Sequence, residues 1–197
     1  MFKTKVDGEN VLQRYKAKLV VKGYSQVAGI DFDETYAPVI RVKSVRCLFA
    51  IATHFDLYIV HADARNAFLN GKNDFELYIK QPEGFPDIRH PNKVLRLNKS
   101  LYGTKQAPRI WYLLLCDEIV SLGFEPCDSD SCIYYSAERQ ILLGVYVDDI
   151  LILGKSKDDC DSIYNALAKR FDMEYIGAPT TFLGLSISRT PSSISIN

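Results

Sequence analysis

An α+β fold built around an antiparallel sheet is the architecture this sequence predicts, and three observations predict it. Two aliphatic runs, residues 141–147 and 150–153, stand only two residues apart, the pattern of a tight hairpin. Segments near 44–55 and 156–171 repeat their apolar residues at helical spacing, and a third helical segment is bracketed by Pro108 and Gly123. The segments follow one another as helix, strand, helix, strands, helix, strand, which suits α+β rather than a regular βα alternation.

Taken in order, "GIDFDETYAPVI" reads as a loop, because Gly29 and Pro38 bracket an acidic stretch. "SVRCLFAIATHF" places Val45, Leu48, Phe49 and Ala52 on one helical face, with Ser44 as the candidate cap. "LYIVHAD" turns to strand and ends at Asp63. "AFLNG" is a short helical turn stopped by Gly71. "FELYIKQPEGF" is a strand running into a Pro/Gly turn. "KSLYGTKQAPRIWYLLLCDEIVSLGFEP" is a loop and then a helix, with Pro108 in its first turn and Gly123 at its stop. "CIYYSAERQILLGVYV" and "ILILG" give three β-rich runs. "SKDDCDSIYNALAKRF" opens on Ser156 with an acid three residues later, a capping-box pattern. "TFLGLSIS" is the final strand candidate.

Composition narrows the class. With 197 residues, 47% of them apolar and 12% aromatic, the chain suits one sizeable domain, or one with a small appendage, and not a disordered protein. A chain of this size buries roughly 70% of its unfolded surface. The five cysteines are scattered without a CxxC pair, so zinc is not expected, and reduced, mostly buried thiols of an intracellular protein are. The N-terminus has no apolar signal core, and no apolar run reaches the ~18 residues of a membrane span. The expectation is a protein with no membrane partner.

The net charge is zero, but the charges are not evenly spread. Between 89 and 109 lie Arg89, Lys93, Arg96, Lys99, Lys105 and Arg109, and no acid. The first 24 residues carry six basic residues against Asp7 and Glu9. Such patches on a neutral chain mark either a phosphate-binding face or ordinary solvated charge.

The sharpest feature is "GVYVDDILILG", where Asp148 and Asp149 interrupt the most apolar stretch of the chain. Asp is acceptable in hairpin turns, so one reading makes both carboxylates plain turn residues. Against it, the flanking strands are apolar on both faces, as central strands are, and two adjacent carboxylates at such a core repel each other and lose solvation. A cation removes the repulsion, and magnesium favours carboxylates together with substrate phosphates. Asp63, at the end of another strand, supplies a third carboxylate if that strand lies beside the hairpin. Three carboxylates can hold two metals about 3.5–4 Å apart, the arrangement for in-line phosphoryl transfer.

These segments resemble, in order and over nearly the whole chain, the reverse transcriptase of copia-type long-terminal-repeat retrotransposons. "YKAKLVVKGYSQVAGIDFDETYAPVIRVKSVR" is similar to the fingers segment of that family, "HADARNAFLNG" to its first catalytic motif and "SLYGTKQAPRIWY" to its template- and nucleotide-positioning motif. "YVDDILILG" is the YxDD hairpin, and "FLGLSI" resembles the primer grip. The resemblance implies a palm with an antiparallel sheet and packed helices, at about 61–71 and 101–190. Partial fingers would occupy about 1–60 and 72–100.

It implies Asp63, Asp148 and Asp149 as catalytic carboxylates and ligands of two Mg2+ ions, with Mn2+ as a substitute. Phe68 takes the place of the aromatic that excludes a ribose 2′-hydroxyl, and the competing reading of Phe68 is a core aromatic. Tyr102 and Gly103 stand beside the incoming nucleotide, and Lys16 and Lys18 where fingers cations meet its triphosphate. Tyr146, Arg96, Lys99, Lys105, Arg109, Phe182, Leu183 and Gly184 fall in template–primer positions. The implied partners are an RNA or DNA template with its primer, deoxynucleoside triphosphates and the remainder of a polyprotein. The implied setting is a cytoplasmic particle or the nucleus.

The sequence also departs from the family pattern. "ADARNAFLNG" replaces the commoner "MDVKTAFLNG", Thr104 and Ala107 stand where Leu and Ser are usual, and Glu174 stands where Lys is common. Thumb, connection and RNase H segments are expected to be absent. Three functions therefore stay open: a polymerase core, a truncated non-catalytic remnant that folds and binds nucleic acid, and a magnesium-dependent nucleotide cyclase, for which the sequence carries no signature.

Overall fold

The computed structural model describes residues 1–6, 11–190 and 192–197. Its elements, in chain order, are β1 (Phe2–Val6), β2 (Leu12–Ala17), α1 (Val42–His54), β3 (Tyr58–Ala64), β4 (Leu77–Ile79), β5 (Leu95–Leu97), α2 (Ala107–Ser121), β6 (Glu125–Cys127), β7 (Asp130–Ser136), β8 (Ile141–Tyr146), β9 (Asp149–Gly154), α3 (Lys157–Arg170), β10 (Met173–Gly177), β11 (Thr181–Phe182), β12 (Leu185–Thr190) and β13 (Ser193–Ile196). Single 3₁₀ turns lie at Gly23–Ser25 and Ala67–Asn70. The fold is α+β and every named strand pair is antiparallel. The chain divides into two compact units, residues 1–36 with 68–110, and residues 37–67 with 111–197.

The second unit holds a six-stranded sheet in the order β10-β3-β9-β8-β7-β6. β9 sits near its centre. From Ile150 to Gly154 every residue of β9 is buried, which is why this strand reads as an unbroken aliphatic run rather than an alternation. α3 packs against β3 and β9, and α1 against β8 and β13. Val45, Leu48, Phe49 and Ala52 of α1 meet Cys132, Leu151 and Leu153 in the main core. Gly144 makes the approach of α1 possible: a Cβ there would stand 2.6 Å from Leu48 Cδ1, closer than packed carbons tolerate.

Helix ends follow from local chemistry in two cases out of three. Ser156 caps α3 through a full capping box with Asp159, and Gly123, at φ +85°, closes α2 in the left-handed conformation. At α1 the expectation fails. The helix begins at Val42, and Ser44 lies inside its first turn rather than at the cap. The cap is supplied from β7 by Asp130, whose Oδ2 accepts from Arg41 N at 3.1 Å and from Ser44 Oγ at 2.6 Å.

Other elements differ in extent from the sequence expectation. The strand expected in "FELYIKQPEGF" shrinks to β4, three residues long. "TFLGLSIS" is two strands, because Leu183 and Gly184 both take positive φ (52° and 80°) and form the two-residue turn between β11 and β12. β1, β2, β5, β6, β10 and β13 were not expected. Of the five thiols only Cys132 and Cys160 are buried, and Cys47 is exposed. Burial pushes Cys132 up to about 12 and Cys160 up to about 11. Asp7 and Glu9, part of the N-terminal charge count, lie outside the described residues. No helix among the described residues is long and apolar enough to cross a membrane.

Candidate active site

In the second unit the register of β3 against β9 decides where the carboxylates stand. Asp63 is the direct partner of Asp149 across the two strands, and directly opposed residues on antiparallel strands project to the same face, with Cβ atoms about 5 Å apart. Asp148 is one residue back, in the hairpin turn. Its carbonyl accepts from Ala64 N at 2.7 Å, so the turn is stitched to the end of β3. All three aspartates are half-buried.

The turn is not the one expected. Tyr146 pairs with Asp149, so the two loop residues are Val147 and Asp148, and Asp149 is already in β9. Val147 has φ +54°, a conformation that costs a β-branched residue of order 1–3 kcal/mol. Trp111 of α2, 1% exposed, donates from Nε1 to Val147 O at 2.7 Å and so holds this turn.

Negative charge accumulates along one row of the sheet. On its other side Asp63 pairs with Glu174 of β10. Burial first, and then the carboxylates of Asp148, Asp149 and Glu174, push the Asp63 carboxyl above its ordinary range, with His61 pulling the other way. Glu174 also accepts from Arg65 Nε at 3.2 Å, both side chains about half exposed. His61, 7% exposed, places Nε2 2.7 Å from Asp149 Oδ1.

Among the described residues no three His, Cys, Asp or Glu side chains converge closely enough to hold an ion. The donor set still fits magnesium or manganese in kind, since it is all carboxylate oxygen. Beyond the effect of burial, the part of the upward push on Asp63 that comes from the neighbouring carboxylates is repulsion that a cation would relieve.

The first unit holds all five residues assigned to the nucleotide. Phe68 and Tyr102 stack with ring centroids 4.7 Å apart at 49°, and Lys18 Nζ lies 3.8 Å over the Tyr102 ring. Ser100 Oγ donates to Phe68 O, and Val21 N donates to Tyr102 O at 2.8 Å. Gly103 has φ +94°, and a Cβ on it would fall 2.1 Å from Val21 O, so no other residue fits beside Tyr102. Lys16 lies on β2 opposite Lys3.

The basic run is partly neutralised within this unit. Arg96 pairs with Glu76 at 3.4 Å and Arg109 with Glu34. Lys105 Nζ sits 4.8 Å over the Phe32 ring, and Lys99 is exposed. Back in the second unit, Tyr146 is half-buried against the core, and Phe182 is 2% exposed within that core. In the turn that follows, Leu183 is half-buried against the core and Gly184 is exposed.

The family profile of the reverse transcriptase (RNA-dependent DNA polymerase) matches residues 1–197. The chain belongs to the reverse transcriptase family. It is 43% identical over 196 residues to the retrovirus-related Pol polyprotein from transposon TNT 1-94 of Nicotiana tabacum, covering 98% of this chain and 15% of that one. It is 37% identical over 199 residues to the Pol polyprotein from transposon RE1 of Arabidopsis thaliana, covering 100% of this chain and 14% of that one. The chain thus spans 15% and 14% of the lengths of these two relatives. A telomerase structure from Candida albicans aligns over 81% of this chain and 35% of its own, at 16% identity and a TM-score of 0.42.

Sequence reasoning assigned no role at this candidate site to His61, Glu174 or Trp111. His61 carried a usable signal, since it lies two residues before Asp63 and a strand puts both on one face. Glu174 was noted only as a departure from the family pattern, because its place beside Asp63 depends on the register of β10. Trp111 was read as part of a helix and of the "SLYGTKQAPRIWY" motif, with no contact to the turn.

Proposed function

We propose that this chain is the fingers–palm core of an RNA-directed DNA polymerase from a retrotransposon polyprotein, adding deoxynucleotides to a primer 3′-hydroxyl. One observation carries the reading: in a reverse transcriptase family chain, Asp63 and Asp149 are direct register partners and Asp148 adjoins them in the turn. These three would hold two magnesium ions. When bound, the ions would lower the pKa of the primer hydroxyl and offset charge on the triphosphate and leaving pyrophosphate.

The remaining work falls to positioning and electrostatics in the chain itself. Phe68 excludes a ribose 2′-hydroxyl, Tyr102 and Gly103 flank the nucleotide, and Lys16 and Lys18 meet its phosphates. Tyr146, Arg96, Lys99, Lys105, Arg109 and the Leu183–Gly184 turn hold an RNA or DNA template with its primer, and Phe182 supports that turn from the core. Residues 1–60 and 72–100 act as fingers, and 61–71 and 101–190 as palm. A cytoplasmic particle or the nucleus is the setting that goes with this activity.

The test is extension of oligo(dT) on poly(rA) with dTTP and Mg2+. The wild-type chain should extend the primer. Asp148→Asn should lose at least about 1000-fold, or about 4 kcal/mol of transition-state stabilisation, with an unchanged circular dichroism spectrum. Equal extension by Asp148→Asn would overturn the site. A folded wild-type chain that binds the duplex without extending it would favour the non-catalytic remnant.

A further inference from the structure

His61 is a buried polar side chain for which the reading above has no use. On β3 it alternates with Ile59 and Asp63 onto one face. Its register partners are Leu151 on β9 and Gly177 on β10, neither of which offers a polar side chain. The Phe182 ring stands edge-on to the imidazole, 5.3 Å between centroids and 80° between planes. The ring is therefore walled by apolar groups, and its Nε2 is directed along the strand to Asp149 Oδ1, 2.7 Å away. An ionised carboxylate only accepts hydrogen bonds, so the proton of this contact sits on Nε2.

The contact has two physical effects. It fixes the rotation of a carboxylate that would otherwise turn about its Cβ–Cγ bond. It also places a donor beside one of two opposed carboxylates, whose direct pairing across strands is destabilising when nothing offsets it. Groups that hydrogen-bond a ligating carboxylate commonly set its orientation.

We propose that His61 is a positioning residue for Asp149: its Nε2–H holds Oδ1 and leaves Oδ2 to face a hard divalent cation. This rests on the assignment of Asp149 as a metal ligand in the reading above, so the experiment separates the two.

The 197-residue chain is titrated with Mn2+ alone and binding is followed by electron paramagnetic resonance. His61→Leu, His61→Gln and Asp149→Asn are compared with wild type, and thermal unfolding is recorded for each. Asp149→Asn should weaken Mn2+ binding. His61→Leu should weaken it about 10- to 100-fold, the usual effect of losing such a partner. His61→Gln, which keeps an N–H donor at similar reach, should restore it to within about threefold of wild type.

A folded His61→Leu that binds Mn2+ as wild type does, while Asp149→Asn does not, overturns the positioning role alone. The same holds for a His61→Gln that binds no better than His61→Leu. Binding untouched by Asp149→Asn overturns the ligand assignment and, with it, this role. Should His61→Leu fail to fold, nitrogen NMR of the wild-type imidazole decides. A proton on Nε2 whose resonance moves in Asp149→Asn supports the contact, and a proton on Nδ1 with Nε2 bare overturns it.

Discussion

The two units hold their candidate site residues by different means. In the second, the carboxylates are set by backbone register: Asp63, Asp149 and Glu174 are neighbours because β3, β9 and β10 pair as they do. In the first, Phe68, Tyr102 and Lys18 are set by one another, through a ring stack and a cation over a ring, backed by loop hydrogen bonds. A register is cooperative, so a change to one core residue of the sheet is felt by every residue aligned with it. A stack is local, so a change there alters a surface and leaves the fold standing. Substitution in the sheet should thus appear as lost stability, and substitution in the stack as altered selectivity.

The largest effect expected from this contrast is in β9. Leu151 is fully buried and stands opposite His61. Leu151→Ala should cost about 2–5 kcal/mol of unfolding free energy by cavity formation, read from urea denaturation. A cost below about 1 kcal/mol would break the contrast, because the sheet would then tolerate loss of its centre.

Phe68→Val sharpens the other side. Ribonucleotide incorporation should rise ~100-fold relative to deoxynucleotide, equal to about 2.7 kcal/mol in transition-state discrimination, with a melting temperature near that of wild type. Competition between the two nucleotides on one primer measures it. Unchanged selectivity with a lower melting temperature would return Phe68 to a packing role.

Acid should also separate the units, through Asp130. Burial pushes its carboxyl up, but bonds from Ser44, Arg41 N and Cys132 N outweigh this and hold it below the ordinary value of 3.8. A depressed carboxyl contributes stability that is present above the unfolded value and lost as pH falls through the folded one. The second unit should therefore loosen below pH 3.8. Asp130→Asn should be less stable than wild type at neutral pH and should lack that part of the acid transition. Tryptophan emission reads this unit selectively, since Trp111 is the chain's single tryptophan.

The smallest effect belongs to the Arg65–Glu174 pair. Both side chains are about half exposed, and exposed pairs contribute little to stability. Arg65→Ala should leave the thermal unfolding midpoint close to that of wild type, despite its closeness in sequence to Asp63. A clear fall in the midpoint would mean that Arg65 offsets the acidic row more strongly than its exposure allows.

What was legible in the sequence follows the same division between local and distant causes. The α3 capping box, the Gly123 stop and the Ala67–Asn70 turn are encoded within a few residues, and each was readable. The α1 cap was not, because Asp130 comes from 86 residues away. The DD turn was displaced by one residue, since a Val at positive φ has no local signature and reads as strand. β10 was invisible for a related reason: "MEYIG" is an edge segment with one buried residue, so the alternation that marks a half-buried strand is missing. Asp63, Asp148 and Asp149 were singled out by motif. Their register, and hence His61 and Glu174 as neighbours, was not.

The strand order has a kinetic consequence. β6, β7, β8 and β9 follow one another along the chain and pair in sequence, so this meander closes through short loops. β3 joins β9 from far upstream, with His61 and Asp149 88 positions apart, and that closure pays the larger loop entropy. The meander should form first and the β3–β9 seam late. During most of folding Asp63 and Asp149 would then remain apart and hydrated, and their repulsion would be met only in the final docking step. Substitutions in the meander should slow folding, whereas those that relieve the acidic row should chiefly slow unfolding.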